Sequence, residues 1–285
     1  MSGMAVFHEG EIAVQERAGE RDVALANGRI VHPVIPEGAR PFLARQRMLV
    51  IAHGAPWASV RFGAPGFVSS TDGEVIRLDH GLPPGAPVGL LAIDFMSRRR
   101  LRVNGIVSGP GLVRVTEAYP NCPKYIQRRT LDLAGDVSPV GVFAHGTGLD
   151  AIRRAAIERA DTMFVATLHP KRGMDASHRG GEPGFARVSG DRVILPDYPG
   201  NGMFNTLGNL EVEPRAGLTV LDFERSAVIE MTGYGRLDFD AAREEDHTAG
   251  GTGRFWTFDV ASFRELPMPK AVRFGPLLEP SPYNP

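Results

Sequence analysis

An internal repeat constrains the fold of this chain more than any other feature. GAPGF at 63–67 returns as GEPGF at 181–185, 118 residues later, and GLLAIDF at 89–95 returns as GLTVLDF at 217–223, 128 residues later. A period above 100 residues is too long for a solenoid, so the repeat predicts two whole barrel-sized units packed together. Such a pair copies a homodimer inside one chain, and the seam between the halves is a natural ligand site.

Composition narrows the function classes. The 285 residues are 42% hydrophobic and carry a net charge of −1, so we expect a globular core and no partner of nucleic acid or membrane type. No apolar run approaches the roughly 20 residues that span a bilayer, and the N-terminus lacks the apolar core of a signal peptide, so we expect a cytoplasmic protein. The only cysteine, Cys122, excludes internal disulfides and is either a redox thiol or a small buried side chain.

Short apolar runs between 34 glycines and 23 prolines predict many strands and few helices. Strands are predicted at 48–52, 88–95, 101–103, 164–167, 192–195, 218–223 and 254–266, and helices at 37–47 and 149–160. The fold class is therefore mostly β, a β-barrel with peripheral helices.

Four regions follow from this pattern. We expect an N-terminal extension at 1–35 and a first repeat with its linker helix at 36–132. The second repeat, at 133–266, should hold most of the ligand site, and a Pro-rich tail occupies 267–285.

The polar residue types suited to a ligand site are concentrated in the second repeat. DASHRGGEPGF at 175–185 combines serine, histidine and arginine with glycines, which allow close backbone approach and supply phosphate donors. PDYPGNGMFNTLGN at 196–209 adds Asp197, Asn201, Asn205 and Asn209, which suit the hydroxyls of a ribityl chain and the edge of a planar heterocycle. Such stretches are also typical of turns.

Together with NCPKYIQRR at 121–129, these blocks resemble the pyridoxamine 5′-phosphate oxidase-like, FMN-binding split-barrel family. The similarity covers roughly residues 40–245 and is closest to a two-repeat branch, some members of which are fused to a ferredoxin-reductase module. The resemblance implies two tandem split barrels forming an intrachain pseudo-dimer, with FMN between them. This chain has no such module, so a separate reductase is a possible partner.

The resemblance also implies site residues. Ser177, His178 and Arg179 fall on the strand that lines the FMN, and Pro196, Asp197 and Tyr198 fall where the next strand meets the isoalloxazine edge. Asn201 and Gly202 stand where many members place an Arg-Lys pair on the phosphate. Since neither is basic, Arg179 would have to meet the phosphate, helped by Lys124, Arg128, Arg129 or Lys171.

The resemblance further implies a polar side chain from the first repeat, two residues before the arginine of RVNG at 102–105; here that residue is Arg100, whereas the equivalent position in the second repeat is Val228. The halves are therefore expected to be specialised, with one site per chain. No H-x-x-x-H or paired carboxylates accompany His178, so no metal is expected.

The favoured function is FMN-dependent oxidoreduction of an unidentified small molecule, with Arg100 or Arg179 stabilising the anionic reduced flavin. The alternatives are a non-catalytic flavin- or haem-binding protein, an apo scaffold, and F420 in place of FMN. The fused repeat removes the need for a homodimer without forbidding one.

Overall fold

Two β-sheets of matching topology form the body of the molecule. A computed structural model describes residues 6–79, 81–135, 137–138, 141–239 and 248–285. The first sheet contains β1 Met48–His53, β2 Trp57–Phe62, β3 Val68–Ser69, β4 Val75–Leu78, β5 Pro87–Asp94, β6 Arg99–Gly109 and β7 Leu112–Asn121. After β8 Leu131–Leu133 and β9 Ala144–Gly146, the second contains β10 Thr162–His169, β11 Gly173–Gly180, β12 Arg187–Ser189, β13 Arg192–Pro196, β14 Arg215–Asp222, β15 Ala227–Asp238 and β16 Phe255–Pro267.

The strand order is the same in both sheets. It runs β2-β1-β5-β6-β7-β4-β3 in the first and β11-β10-β14-β15-β16-β13-β12 in the second, where β9 adds an eighth strand beside β16. Each strand of one half therefore has a counterpart in the other. The mostly β fold class, two tandem split barrels forming a pseudo-dimer, is confirmed.

The repeated glycines lie at the seam between the barrels. A side chain on Gly89 of β5 would meet the carbonyl oxygen of Met174 at 2.6 Å, and one on its counterpart Gly217 of β14 would meet that of Pro56 at 2.8 Å. Only glycine allows β5 to approach β11, and β14 to approach the hairpin of β2, this closely. The recurrence of this glycine in both copies thus reflects the packing of one half on the other.

Three hydrophobic clusters hold this arrangement together. One fills the first barrel and another the second. The third crosses the seam, where Val50 and Leu91 of the first half join Phe164, Ala176 and Val228 of the second. Because burial of apolar surface is the main favourable term in association, this continuous cluster fixes the two barrels as one body.

The helices are peripheral, as the pattern predicts. They are α1 Glu9–Arg17, α2 Arg21–Gly28, α3 Arg40–Ala44, α4 Ala151–Arg159 and α5 Asn205–Val212. In the N-terminal extension, α1 crosses α5 at two facing glycines: a side chain on Gly10 would meet the carbonyl oxygen of Gly208 at 2.2 Å. None of the helices in the described ranges has the length and apolar character needed to span a bilayer.

The C-terminal tail is held along the segment between the repeats. Its strand β17 Val272–Phe274 pairs with β8. Further on, Arg128 and Glu279 form an isolated antiparallel bridge. The tail therefore runs beside residues 124–133 and ends near the seam.

Candidate functional site

A cleft opens at the seam, between β6 of the first barrel and β11 of the second. It has a cavity volume of about 110 Å³ and opens to solvent. Its lining comprises Glu20, Leu91, Arg100, Arg102, Asn121, Cys122, Lys124, Tyr125, Ser177, His178, Arg179, Gly180, Phe185, Pro196, Asp197, Tyr198, Gly200, Asn201, Gly202, Phe204, Asn205, Thr206, Leu207 and Arg254. Five cations thus face two carboxylates, which favours an anionic or acceptor-rich ligand.

Two arginines of β6 reach across the seam to β11. Arg102 Nε donates to the carbonyl oxygen of Ala176 at 2.9 Å, and its Nη2 donates to the Ser177 hydroxyl. Two positions earlier on the same face, Arg100 Nη1 lies 3.2 Å from His178 Nδ1. The register of these strands therefore joins a cationic strand of one repeat to the Ser-His-Arg run of the other.

His178 is a neutral hydrogen-bond donor. Its burial, together with the nearby charges of Arg100 and Arg179, holds the pKa of His178 well below its usual range. Because Arg100 donates to Nδ1, the proton of the neutral ring resides on Nε2. Nε2 is buried and has no hydrogen-bond partner among the described residues, so it can donate to a ligand.

Arg100 is a cation without a carboxylate partner within the described ranges. Its side chain contacts the carbonyl oxygens of Cys122 and Lys124 and the ring of His178. Burial and the neighbouring Arg102 and Arg179 lower the pKa of Arg100 to about 9, so it remains charged at pH 7. An ion held without a counter-charge is costly, and an anionic or acceptor-rich ligand would relieve that cost.

Buried donors without partners are concentrated in this cleft. The structure leaves unsatisfied Arg100 Nε, Asn121 Nδ2, His178 Nε2 and Arg179 Nε. All four carry N–H groups. Since buried polar groups in folded proteins are nearly always paired, the ligand that complements them should present several acceptor atoms.

The opposite end of the cleft has a different charge pattern. There, Arg254 donates to Glu20 at 2.9 Å and to Asp197 at 3.0 Å. The turn at Gly202, with φ of +69°, packs against Val23 and the Glu20 carboxylate. Both carboxylates engage Arg254, and Arg179 lies 3.9 Å from Asp197, so the charges at this end nearly cancel, whereas the Arg100 end is cationic.

An aromatic pair forms one wall of the mouth. The rings of Tyr125 and Tyr198 lie 4.8 Å apart, and the Tyr125 hydroxyl donates to the carbonyl oxygen of Pro199 at 2.9 Å. Tyr125 adopts a left-handed φ of 65°, which a bulky residue rarely does. The C-terminal tail supports this conformation, since the Ser281 hydroxyl accepts the Tyr125 backbone N–H at 3.0 Å.

The structure brings most of the sequence-predicted site residues into the cleft. They are Arg100, Lys124, Ser177, His178, Arg179, Pro196, Asp197, Tyr198, Asn201, Gly202 and Asn205. Arg128 lies outside it, where its guanidinium pairs with Glu279 of the tail at 3.0 Å. Arg128 therefore faces the tail and is not available to a phosphate in the cleft.

Sequence reasoning missed several lining residues. Glu20 comes from the N-terminal extension, and Arg254 from the segment before β16, far in sequence from the motif blocks. Neither has a local pattern that distinguishes it from a surface charge. Phe204, at the start of α5, has a left-handed φ of 58°; its position within the GNGMF segment, which already suggests an unusual turn, is the one signal that could have drawn attention to it.

A second polar cluster lies beside α1. In the described part of the chain, His8, Glu9 and His169 are the group whose ligand atoms are close enough to hold a metal. However, Nδ1 of His8 accepts the backbone N–H of Gly10, and Nδ1 of His169 accepts those of residues 171 and 172. Each Nε2 therefore carries a proton in the neutral ring, directed at Asn209 and Glu9 respectively, so the cluster is a hydrogen-bond network.

No protein-family model and no curated protein sequence matches the chain. Solved structures do match, each over part of it. HupZ of Group A Streptococcus is 14% identical and covers 41% of this chain and 94% of its own, with a TM-score of 0.34. A FAD-binding protein from Mesorhizobium loti is 12% identical over 43% of this chain and 99% of its own, with a TM-score of 0.31.

A third match carries a family name. It is a candidate pyridoxamine 5′-phosphate oxidase from Lactobacillus delbrueckii, 9% identical over 41% of this chain and 98% of its own, with a TM-score of 0.33. The name of this match is that of the family which the sequence motifs resemble.

Proposed function

We propose that the seam cleft binds a flavin, FMN in the first instance, and that the protein is a flavin-dependent oxidoreductase. One observation carries the proposal: four buried N–H donors without partners line the same cleft as the uncompensated cation Arg100. The isoalloxazine ring presents several acceptors, N1, O2, O4 and N5, around its pyrimidine end. A planar, acceptor-rich ring complements these donors better than a compact anion does.

Different residues of the cleft would make different contacts with such a ring. Arg100, His178 and Asn121 would donate to its acceptor edge, while Tyr125 and Tyr198 would cover it at the mouth. When bound, a flavin supplies hydride or electron transfer. Arg100 would stabilise negative charge on the ring, and neutral His178 would hold a proton on Nε2 for donation.

Spectroscopy of the purified protein tests the cofactor class. We expect it to bind FMN with 1:1 stoichiometry, measured by quenching of flavin fluorescence. F420 and haem serve as competing ligands, and a Soret band without flavin binding would assign the cleft to haem. Failure of all three to bind would leave a scaffold of the same fold and refute the proposal.

The substrate and the electron donor are proposed as small molecules, with a separate reductase as an alternative donor. Oxidation of NADH or NADPH by the FMN-loaded protein, followed at 340 nm, tests direct use of a nicotinamide donor. A loaded protein that is reduced chemically but passes electrons to neither oxygen nor added acceptors would be a flavin carrier and not an enzyme.

A further inference from the structure

The N-terminal extension forms part of the cleft wall. Gln15 Nε2 donates to the carbonyl oxygen of Met203 at 3.0 Å, and Asn27 Nδ2 donates to that of Asn201 at 2.7 Å. Between these two anchors lies Glu20, directly before α2. The two hydrogen bonds fix its carboxylate against the turn at Gly202.

The carboxylate of Glu20 determines the charge at this end. It lines the cleft and shares the single guanidinium of Arg254 with Asp197. The next cation, Arg179, approaches Asp197 only to 3.9 Å. An anionic group of a ligand placed here would lie beside Glu20, where both carboxylates already engage the guanidinium of Arg254. Arg179, whose Nε has no partner within the described ranges, is the next cation that could meet it.

The two ends of the cleft therefore suit different parts of one ligand. The end at Arg100 and Lys124 has cations without carboxylate partners in the described ranges. The end at Glu20 offers carboxylate and amide acceptors, including Asn201, that suit neutral hydroxyl groups. A ring with its acceptor edge at Arg100 would extend its side chain towards Glu20.

We propose that Glu20 is a specificity-determining residue that makes this end of the cleft accept a neutral ribityl chain as readily as a phosphorylated one. The proposal rests on the flavin site proposed above. A phosphate monoester carries a charge of about −1.5 to −2 at pH 7. Its repulsion by a carboxylate in a partly buried site is large enough to offset the contacts that the phosphate gains.

The test compares riboflavin with FMN by fluorescence quenching in wild type and in Glu20→Gln. Glutamine keeps an oxygen that accepts from Arg254 while it removes the charge. We expect wild type to bind the two flavins within about fivefold of each other. In Glu20→Gln, FMN should tighten about tenfold relative to riboflavin, which corresponds to about 1.4 kcal/mol.

Asp22→Asn is the matched control. Asp22 is exposed, lies two residues away in the first turn of α2 and does not line the cleft, so its replacement removes one negative charge without changing the cleft wall. It should leave the ratio of the two dissociation constants as in wild type. Thermal melting of both variants establishes that they are folded.

The outcomes separate the two proposals. If wild type binds FMN far more tightly than riboflavin, or if Glu20→Gln leaves the ratio within twofold of wild type, the role of Glu20 is overturned while the flavin site stands. If Asp22→Asn raises the ratio as much as Glu20→Gln does, the effect is one of net charge and the role is likewise overturned. If neither flavin binds wild type, the flavin site itself fails, and this inference fails with it.

Discussion

We expect the replacement of Arg100 by methionine to weaken flavin binding while it leaves the free energy of unfolding of the free protein nearly unchanged. Methionine keeps most of the length of the side chain and removes the charge and all its N–H groups. In the free protein, burial lowers the pKa of Arg100 to about 9, so folding works against the cation at neutral pH. The variant loses hydrogen bonds to the carbonyl oxygens of Cys122 and Lys124, but it also loses this desolvation cost.

The two effects are of similar size and opposite sign. An unsatisfied buried carbonyl costs about 1–3 kcal/mol, and a buried ion without a counter-charge costs several kcal/mol. We therefore expect the free energy of unfolding of the free protein to change by less than about 2 kcal/mol. Flavin binding should lose charge-assisted hydrogen bonds worth about 1.5–3 kcal/mol, which weakens the dissociation constant about 10- to 150-fold.

Two measurements check this prediction: urea denaturation of the free protein and fluorescence titration with FMN. Arg99→Met is the matched control, because Arg99 is exposed, neighbours Arg100 on β6 and stacks over Phe42 away from the cleft. It should leave FMN affinity within about twofold of wild type. An Arg100→Met protein that unfolds far more easily yet binds FMN normally would refute the reasoning, since Arg100 would then be a structural residue.

Three further predictions follow from buried groups near the cleft. Burial raises the pKa of Glu11 to about 8, so the folded state favours the protonated acid and wild type loses stability as pH rises from about 4.5 to 8. Glu11→Gln does not titrate, so its free energy of unfolding relative to wild type should increase from pH 5 to pH 8, measured by urea denaturation. Gly180→Ala would place a methyl group 2.2 Å from the carbonyl oxygen of Tyr125 and should lower both the melting temperature and FMN affinity, whereas Gly200→Ala, with its nearest neighbour at 3.9 Å, should weaken FMN binding much less. Ser281→Ala removes the acceptor of the Tyr125 backbone N–H and should cost about 1–3 kcal/mol of stability, measured by urea denaturation.

The apolar pattern of the sequence predicts several core strands but not β11, the strand that lines the cleft. Every strand predicted from an apolar run is present, because those side chains fill the barrels or the seam. Strands β2, β7 and β15 are not among the strands predicted from apolar runs. Neither is β11, GMDASHRG, which has little apolar alternation and is placed on a strand only by the family resemblance. Its polar side chains face the cleft and a buried hydrogen-bond network, so the apolar pattern does not reveal it as a strand.

The residues of the candidate site also fall into those that a sequence pattern identifies and those that it does not. Ser177, His178 and Arg179 are identified by a motif block, and Arg100 by its place before the RVNG run that the family resemblance singles out, since each has a local pattern. Glu20 has none, because its role arises from the packing of the N-terminal extension on α5, which brings together residues almost 200 positions apart. Contacts of this kind depend on tertiary structure and are not encoded in any short segment.

The pseudo-symmetry explains why one seam position became a cleft and its counterpart did not. When the two copies of the repeat are aligned, Ser59 corresponds to Ser177 and Glu230 corresponds to Arg102. At the counterpart position, Glu230 is buried and accepts from Arg264 and from the Ser59 hydroxyl.

The charge of Glu230 is thus compensated within the protein, whereas Arg100 in the cleft has no carboxylate partner within the described ranges. None of the buried donors without partners in the described ranges comes from the Ser59–Glu230 group, whereas four come from the cleft. Val228 replaces Arg100 there and leaves a smaller, mainly apolar cavity. A satisfied ion pair stabilises the seam and has little to offer a ligand, whereas unsatisfied donors around Arg100 are a stability cost that a bound acceptor-rich molecule would remove. After duplication, the two copies of this position therefore differ: one compensates its charge within the protein, and the other keeps unpaired groups that the proposed flavin would engage.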